Sequence, residues 1–141
     1  ATAGKDKSMR IWNVATRTCV AIATGHTEAV GSVALSNKIG CYDVGGKAAE
    51  SGAGAFAVTC SKDRTLKVWS LPGSAVLDKT DDEITLNARL SIRAHEKDIN
   101  IVSVAPNDSL IATGSQGELF QLFIWCYDLR GTNSNFSSSY I

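Results

Sequence analysis

The stretch SKDRTLKVW, Ser61 to Trp69, has a near copy in GKDKSMRIW, Gly4 to Trp12. Both read Lys-Asp, any residue, Ser or Thr, an aliphatic residue or Met, a base, Ile or Val, and then Trp. In each copy the Asp precedes the Trp by six residues. The run after each Asp alternates and is rich in β-branched residues, which is the pattern of a half-buried strand. Another apolar run, AFAVTC, ends just before Ser61. Lys62-Asp63-Arg64 therefore reads as a tight hairpin turn, with Asp chosen because its carboxylate bonds nearby backbone N–H groups.

Working outward, further stretches repeat in phase. GHTEAVGSVALS, Gly25 to Ser36, aligns with AHEKDINIVSVAP, Ala94 to Pro106, so that His26 falls on His95. AFAVTCSKD aligns with LIATGSQG, Leu110 to Gly117, so that Thr59 falls on Thr113; Thr2 takes the same place before Asp6. Each unit reads His, apolar run, gap, apolar run, Asp turn, apolar run, Trp. Internal repetition of this kind marks a repeat architecture. Two more strands are expected at Thr18 to Ala23 and Asn87 to Arg93, which gives four antiparallel strands per unit. Residues 37–54, rich in Gly and Ala, read as an inserted surface loop, and residues 71–83, with a Pro-Gly turn and an acidic cluster, as a second exposed loop. These insertions explain why Trp12 and Trp69 stand 57 residues apart, beyond the roughly 40–45 of a compact four-stranded repeat.

A chemical reason for the spacing follows. A buried Trp indole N–H needs an acceptor, a Thr hydroxyl accepts and donates, a His ring does both, and a turn Asp accepts. Chained as Trp69, Thr59, His26 and Asp63, these groups satisfy one another inside an apolar sheet. Ser61 shares the strand parity of Thr59 and is the second choice for the hydroxyl. Thr2, Asp6 and Trp12 form part of the same set in the first copy, and His95 and Thr113 in the third.

Gly25-His26, Asp63 and Trp69 in this order resemble a WD-repeat blade, the unit of a β-propeller. The resemblance covers about residues 1–116 and implies an all-β fold: a partial WD-repeat β-propeller of two to three four-stranded antiparallel blades in an open array. It also implies that the last strand of one sequence repeat closes the sheet of the next blade, and that the Trp–Thr–His–Asp network is structural. On this reading residues 1–14 end a first blade, residues 15–71 form a repeat carrying the insert 37–54, and residues 72–129 form a second, incomplete repeat. The chain starts within a motif, as a fragment does. An open array leaves blade faces and strand edges uncovered, so marginal stability is expected of it.

The third copy departs after Gln116. In register Asp63 falls on Gly117 and Trp69 on Phe123, while Trp125 stands two places late. His95 and Thr113 are then expected to lack Asp and Trp partners. Residues 130–141, rich in Ser and Asn, are expected to be disordered and to add nothing to the fold.

Composition excludes several functions. Hydrophobic residues make up 44% of the 141, and 14 Lys and Arg balance 14 Asp and Glu, so no global basic field draws nucleic acid or an anionic membrane. There is neither an apolar run of transmembrane length nor a secretory signal. Cys19, Cys41, Cys60 and Cys126 form no CxxC pair, which argues against zinc. Cys60 reads as a buried free thiol and suits a reducing, intracellular compartment. Asn107-Asp108-Ser109 and Asn135-Phe136-Ser137 match the glycosylation acceptor pattern but lack the secretory context. His95, Glu96 and Asp98 have no nucleophile motif beside them, and the Gly-rich stretches at 45–47 and 51–55 lack the spacing of a nucleotide cradle. No enzyme activity, cofactor, metal or small-molecule substrate is expected.

A binding function fits better, since propellers present loops and rims to protein partners. The candidate interaction loop carries Asp78, Asp81, Asp82 and Glu83. Lys5, Lys7, Arg10, Lys62, Arg64 and Lys67 lie near turns that can meet phosphate, though acids are scattered among them. The wording HEKDIN and APNDSLIATGS resembles the WD-repeat proteins of the small-subunit processome. That narrower resemblance implies a non-enzymatic scaffold in ribosome biogenesis, nuclear and nucleolar, with other WD-repeat and processome proteins as partners and pre-rRNA or snoRNA contact, direct or indirect. The alternative is a cytoplasmic WD-repeat adaptor in signalling or ubiquitin-ligase substrate recruitment.

Overall fold

The computed structural model describes residues 1–37, 55–72, 83–116, 121–126 and 138–140. Among them every regular element is a strand: β1 Thr2–Ala3, β2 Met9–Asn13, β3 Thr18–Ala23, β4 Val30–Leu35, β5 Phe56–Ser61, β6 Thr65–Ser70, β7 Ile84–Leu86, β8 Ala88–Arg93, β9 Ile99–Val104, β10 Leu110–Ser115, β11 Gln121–Cys126 and β12 Ser138–Tyr140. They form three four-stranded sheets, β1-β2-β3-β7, β4-β5-β6-β8 and β9-β10-β11-β12. The architecture of the described residues is all-β and blade-like, and their sheets do not close into a barrel.

The middle sheet shows why the sequence alternates as it does. Thr59 lies opposite Lys67, and Ala57 opposite Trp69, so Ala57, Thr59, Ser61 and Trp69 share one face. That face meets the first sheet, where Trp69 and Ala57 pack with Met9, Ala21, Ala23 and Leu86. The other face carries Phe56, Val58, Cys60, Leu66 and Val68, and meets Ile99, Val102 and Ile111 of the third sheet. A strand buried on both faces reads as a continuous apolar run, and all six residues of β5 are buried. Gly31 on β4 comes so near β9 that an added Cβ would lie 3.1 Å from the Ile99 carbonyl oxygen. A side chain there would require the β9 backbone to shift by a few tenths of an ångström.

The first sheet departs from the expected all-antiparallel pattern. Its fourth strand is β7, which runs parallel to β3 with Ile84 opposite Ala21 and Leu86 opposite Ala23. The chain then crosses to the middle sheet at Asn87, and β8 pairs with β6. The reason is apolar: Leu86 is buried at the seam beside Trp69 and Met9.

The third sheet corrects two expectations. The β10–β11 connection, 116–120, is two residues longer than the three-residue turn between β5 and β6. The longer loop absorbs the apparent slip. Phe123 lies opposite Thr113, at the place of Lys67, and Trp125 lies opposite Ile111, at the place of Trp69. The position assigned to Phe123 by sequence register thus belongs to Trp125. Second, Ser138–Tyr140 is a strand paired antiparallel with β11, Tyr140 opposite Phe123. The chain end expected to stand apart therefore completes a sheet. Ladder bonds along an unpaired edge supply what its Ser-rich composition does not. The insert loop apart from Asn37, most of the 71–83 loop, and residues 117–120 and 127–137 lie outside the described residues.

Candidate functional site

Residues brought together by the middle hairpin and the loop before β4 form the most connected polar cluster among the described residues. Asp63 sits in the turn closed by the Arg64 N–H on the Ser61 carbonyl. Its Oδ1 accepts from the Thr65 N–H at 2.9 Å and the Thr65 hydroxyl at 2.6 Å. Arg64 then takes a left-handed φ of 70°, as Lys7 does at 66° in the first copy. The Asx bond holds the turn in a conformation that an L-residue otherwise avoids. Gly25, at φ 138°, turns the chain so that His26 points back under this hairpin. Only Gly takes that φ freely.

The side chains then connect in a fixed order. The Trp69 indole N–H donates to Thr59 Oγ1 at 2.8 Å. The ionised Asp63 can only accept, so a neutral His26 ring keeps its proton on the nitrogen facing Asp63, and the Thr59 hydroxyl gives its own proton to His26 Nε2, also at 2.8 Å. The ring proton is thereby placed on Nδ1, which donates to Asp63 Oδ2 at 2.8 Å. Asp63 Oδ2 also accepts from the Thr27 N–H at 3.0 Å. The His26 ring stands edge-on to Trp69, with centroids 6.4 Å apart.

Protonation states follow from this wiring. Burial holds His26 below the ordinary histidine value, outweighing the upward pull of Asp63. Burial alone would raise Asp63, yet the Thr65, His26 and Thr27 hydrogen bonds together bring it down to about 2. The pair is thus a neutral imidazole donating to a carboxylate. His95 is also lowered by burial. Each of these groups binds its proton more weakly in the fold than in the unfolded chain, so stability is present at neutral pH and is lost on acidification. Loss begins as pH falls below the unfolded histidine value, about 6.5, and steepens through the Asp63 window from about 3.8 to 2. Urea midpoints followed by circular dichroism are expected to be level from pH 8 to 7 and lower at pH 5.5. A midpoint unchanged at pH 5.5 would contradict neutral, buried histidines.

The other copies hold parts of this set. In the first, Trp12 Nε1 donates to Thr2 Oγ1 at 2.8 Å, but Trp12 is 42% exposed where Trp69 is 1% exposed. Asp6 there pairs with Arg10 and accepts from the Ser8 N–H. In the third, His95 Nε2 and Thr113 Oγ1 are 2.8 Å apart. Ser61, the alternative hydroxyl, instead donates to the Glu28 and Ala29 carbonyls. Its counterpart Ser115 does the same to Asp98.

Of the candidate interaction loop only Glu83 lies among the described residues. Glu83 lies against the first sheet, where its carboxylate helps burial to raise the Cys19 thiol and adds to the Arg10 environment. Asp78, Asp81 and Asp82 lie outside the described residues. Of the cations near turns, Lys7 is tied to the Thr27 carbonyl, Arg10 to Asp6 and Lys67 to Ser91. Lys5, Lys62 and Arg64 are exposed. Cys60 is buried and free, and burial pushes its thiol up to about 12. Among the described residues no group of three His, Cys, Asp or Glu side chains is placed to hold a metal ion.

One clasp escaped the sequence reading. Asp108, fully buried at a φ of 59°, accepts from the Asn37 backbone N–H at 2.7 Å. The Asn37 amide also donates to the Ala105 carbonyl at 3.3 Å. The end of β4 is thereby tied to the β9–β10 turn of the neighbouring sheet. Asn107, which fits a glycosylation pattern, instead accepts from the Ser109 N–H and hydroxyl within that turn. The Pro-Asn-Asp-Ser turn composition was the available signal; that its Asp reaches across a seam was not.

Parts of this wiring recur in the neighbouring four-stranded sheets, and a family match coincides with them. The WD domain, G-beta repeat family matches residues 17–70 and 87–125. The chain belongs to the WD-repeat family. Among curated relatives, transducin beta-like protein 3 of Homo sapiens is 41% identical over 129 residues, covering 87% of this chain and 14% of that protein. The Rattus norvegicus protein of the same name is 39% identical over the same span. U3 small nucleolar RNA-associated protein 13 of Saccharomyces cerevisiae (strain ATCC 204508 / S288c) is 35% identical over 119 residues, 82% of this chain and 13% of that protein. This WD-repeat chain thus spans about one seventh of the length of the relatives it matches. The matched repeats begin and end off the sheet boundaries: residues 87–125 include β8, which completes the middle sheet, together with β9 to β11 of the third.

Proposed function

We propose that this chain is part of a non-enzymatic WD-repeat scaffold that acts in small-subunit processome assembly and pre-rRNA processing, in the nucleolus. The observation that carries the reading is its likeness to a protein named for association with the U3 small nucleolar RNA, joined to the HEKDIN and APNDSLIATGS wording of the third repeat. The chemistry of the buried cluster supports a scaffold. Trp69, Thr59, His26 and Asp63 bond to one another, so the histidine that a catalyst would need is engaged in holding the hairpin to the preceding loop. Partners on this reading are other WD-repeat and processome proteins. RNA contact falls to Lys5, Lys62 and Arg64, the exposed cations beside the turns.

The test uses the full-length parent, tagged at its own locus. It is expected to co-purify U3 small nucleolar RNA, precursor rRNA and processome WD-repeat proteins, and its depletion is expected to accumulate unprocessed precursor. Exclusion from nucleoli with normal rRNA processing would overturn the reading in favour of a cytoplasmic adaptor.

A further inference from the structure

A cleft of about 470 Å³ opens on the β7–β8 side of the first seam, where the chain leaves one sheet for the next. Leu71 and Pro72, just past β6, line it together with Ile84 and Leu86 of β7. Leu86 is buried, and Leu71 and Ile84 are half-buried and pack on the core around Trp69 and Met9. The floor is therefore apolar and continuous with that core. Both sheets that frame the cleft lie within this chain, so it belongs to neither outer face of the stack.

The rim is polar and holds a single charge. Thr85, Asn87 and Arg89 are exposed there. Val68 lies opposite Leu90 and Trp69 opposite Ala88, which leaves Arg89 as the extra residue of a β-bulge. Bulges re-aim side chains, and this one sets Arg89 at the cleft. None of the ion pairs among the described residues uses it. Glu83, its nearest acid in sequence, stands at the other end of β7 beside Cys19 and Arg10. Main-chain groups are also on offer. β7 ends its sheet, with β3 along one edge and no described strand along the other. An open edge is a template for another extended chain.

These features select one class of occupant. The cleft is open to solvent and does not enclose a small molecule as ligand pockets do. No aromatic residue lines it, so bases find no stacking platform, and one cation is few for a phosphate backbone. An extended peptide uses all that is present. Its main chain meets the β7 edge, an aliphatic side chain rests on Leu71, Pro72 and Ile84, and an Asp or Glu takes Arg89 in a bidentate pair. We propose that this cleft binds an extended acidic–aliphatic segment of a partner protein. The site does not depend on the pathway in which the parent acts, so it stands or falls apart from the nucleolar reading.

The test selects phage-displayed random octapeptides on the immobilised 141-residue chain, then measures enriched sequences as fluorescein-labelled peptides by anisotropy. Enriched peptides are expected to share an acid close to Leu, Ile or Val. Arg89→Glu and Thr85→Trp, both at exposed positions, are each expected to weaken binding at least about tenfold, with circular dichroism checking that the sheets persist. A peptide whose acid is changed to Lys is expected to prefer Arg89→Glu over the unaltered chain, an exchange that damage to the fold does not produce. No enrichment, a consensus without an acid, or affinity unchanged by Arg89→Glu would overturn the proposal. So would binding seen only when Asp78, Asp81 and Asp82 are all changed to Asn, which gives the cleft to the chain's own acidic loop. Failure of every peptide, with Arg89-dependent binding of a uridine oligonucleotide, would assign the cleft to RNA instead.

Discussion

Trp69→Ala is expected to be the most destabilising single change in the described part of this chain, at about 3–5 kcal/mol. The indole is 1% exposed and fills the seam between the first two sheets, against Met9, Ala21, Ala23 and Leu86. Truncation removes its transfer free energy and leaves a cavity. It also strips the Thr59 hydroxyl, itself fully buried, of its indole donor. A domain of this size has roughly 5–15 kcal/mol to lose, so the variant is expected to be partly unfolded without denaturant. Trp12→Ala provides the comparison. It removes the same residue and the same bond to a Thr, but from a side chain 42% exposed on an outer face, and is expected to cost about 1 kcal/mol. Urea titrations followed by far-ultraviolet circular dichroism, which does not depend on the lost fluorophore, give both values. Equal costs would mean that the bond, common to both, matters more than the seam.

The contrast between these tryptophans shows what the sequence could and could not express. The pattern from Asp to Trp is local, and it announced two hairpins, the polar partners and the strand parity. Strands β3, β5 and β6 fall where Val, Ile and Thr alternate or cluster, and β8 where Leu90 and Ile92 alternate with polar residues. Burial is not local. Trp12 and Trp69 follow matching residues, Arg10-Ile11 and Lys67-Val68, yet among the described residues only Trp69 is covered by another sheet. The third hairpin failed for a related reason. Counting residues from Thr113 assumes a turn of fixed length, whereas the loop 116–120 holds two more residues than its counterpart, so the strand resumes in register with Trp125 in place. β7 was missed because its three residues are too few to show a period; they form a strand through the edge of β3 and the burial of Leu86. The Asp108–Asn37 clasp joins residues 71 positions apart, and no spacing rule reaches that far. At β12 a polar composition was outweighed by an edge strand in need of partners.

The second large effect concerns why an Asp stands six residues before the Trp. Asp63→Ala and His26→Ala are each expected to cost about 1–3 kcal/mol, by leaving buried donors or acceptors unsatisfied. Asp63 makes two kinds of contact, and they predict different couplings. Its Oδ1 serves its own turn through Thr65, a contact that survives loss of the imidazole. Its Oδ2 serves His26 and the Thr27 N–H, and so joins the turn to the preceding loop. If the second kind fixes the spacing, the double variant costs less than the sum of the two single ones. Once the ring is gone, Asp63 has lost one donor and the loop carrying Thr27 is freer to leave. The shortfall is expected at about 1–2 kcal/mol, within the range for residues in one hydrogen-bonded network. Thr65→Val in place of Asp63→Ala supplies a partial control: it removes the hydroxyl bond within the turn and that hydroxyl's 3.2 Å contact with His26 Nδ1, but leaves the stronger His26–Asp63 bond standing, so its shortfall from additivity with His26→Ala is expected to be the smaller of the two. Full additivity of His26→Ala with Asp63→Ala would reduce the Asp to a turn former, and would leave the repeated distance to the Trp to be explained by strand length alone.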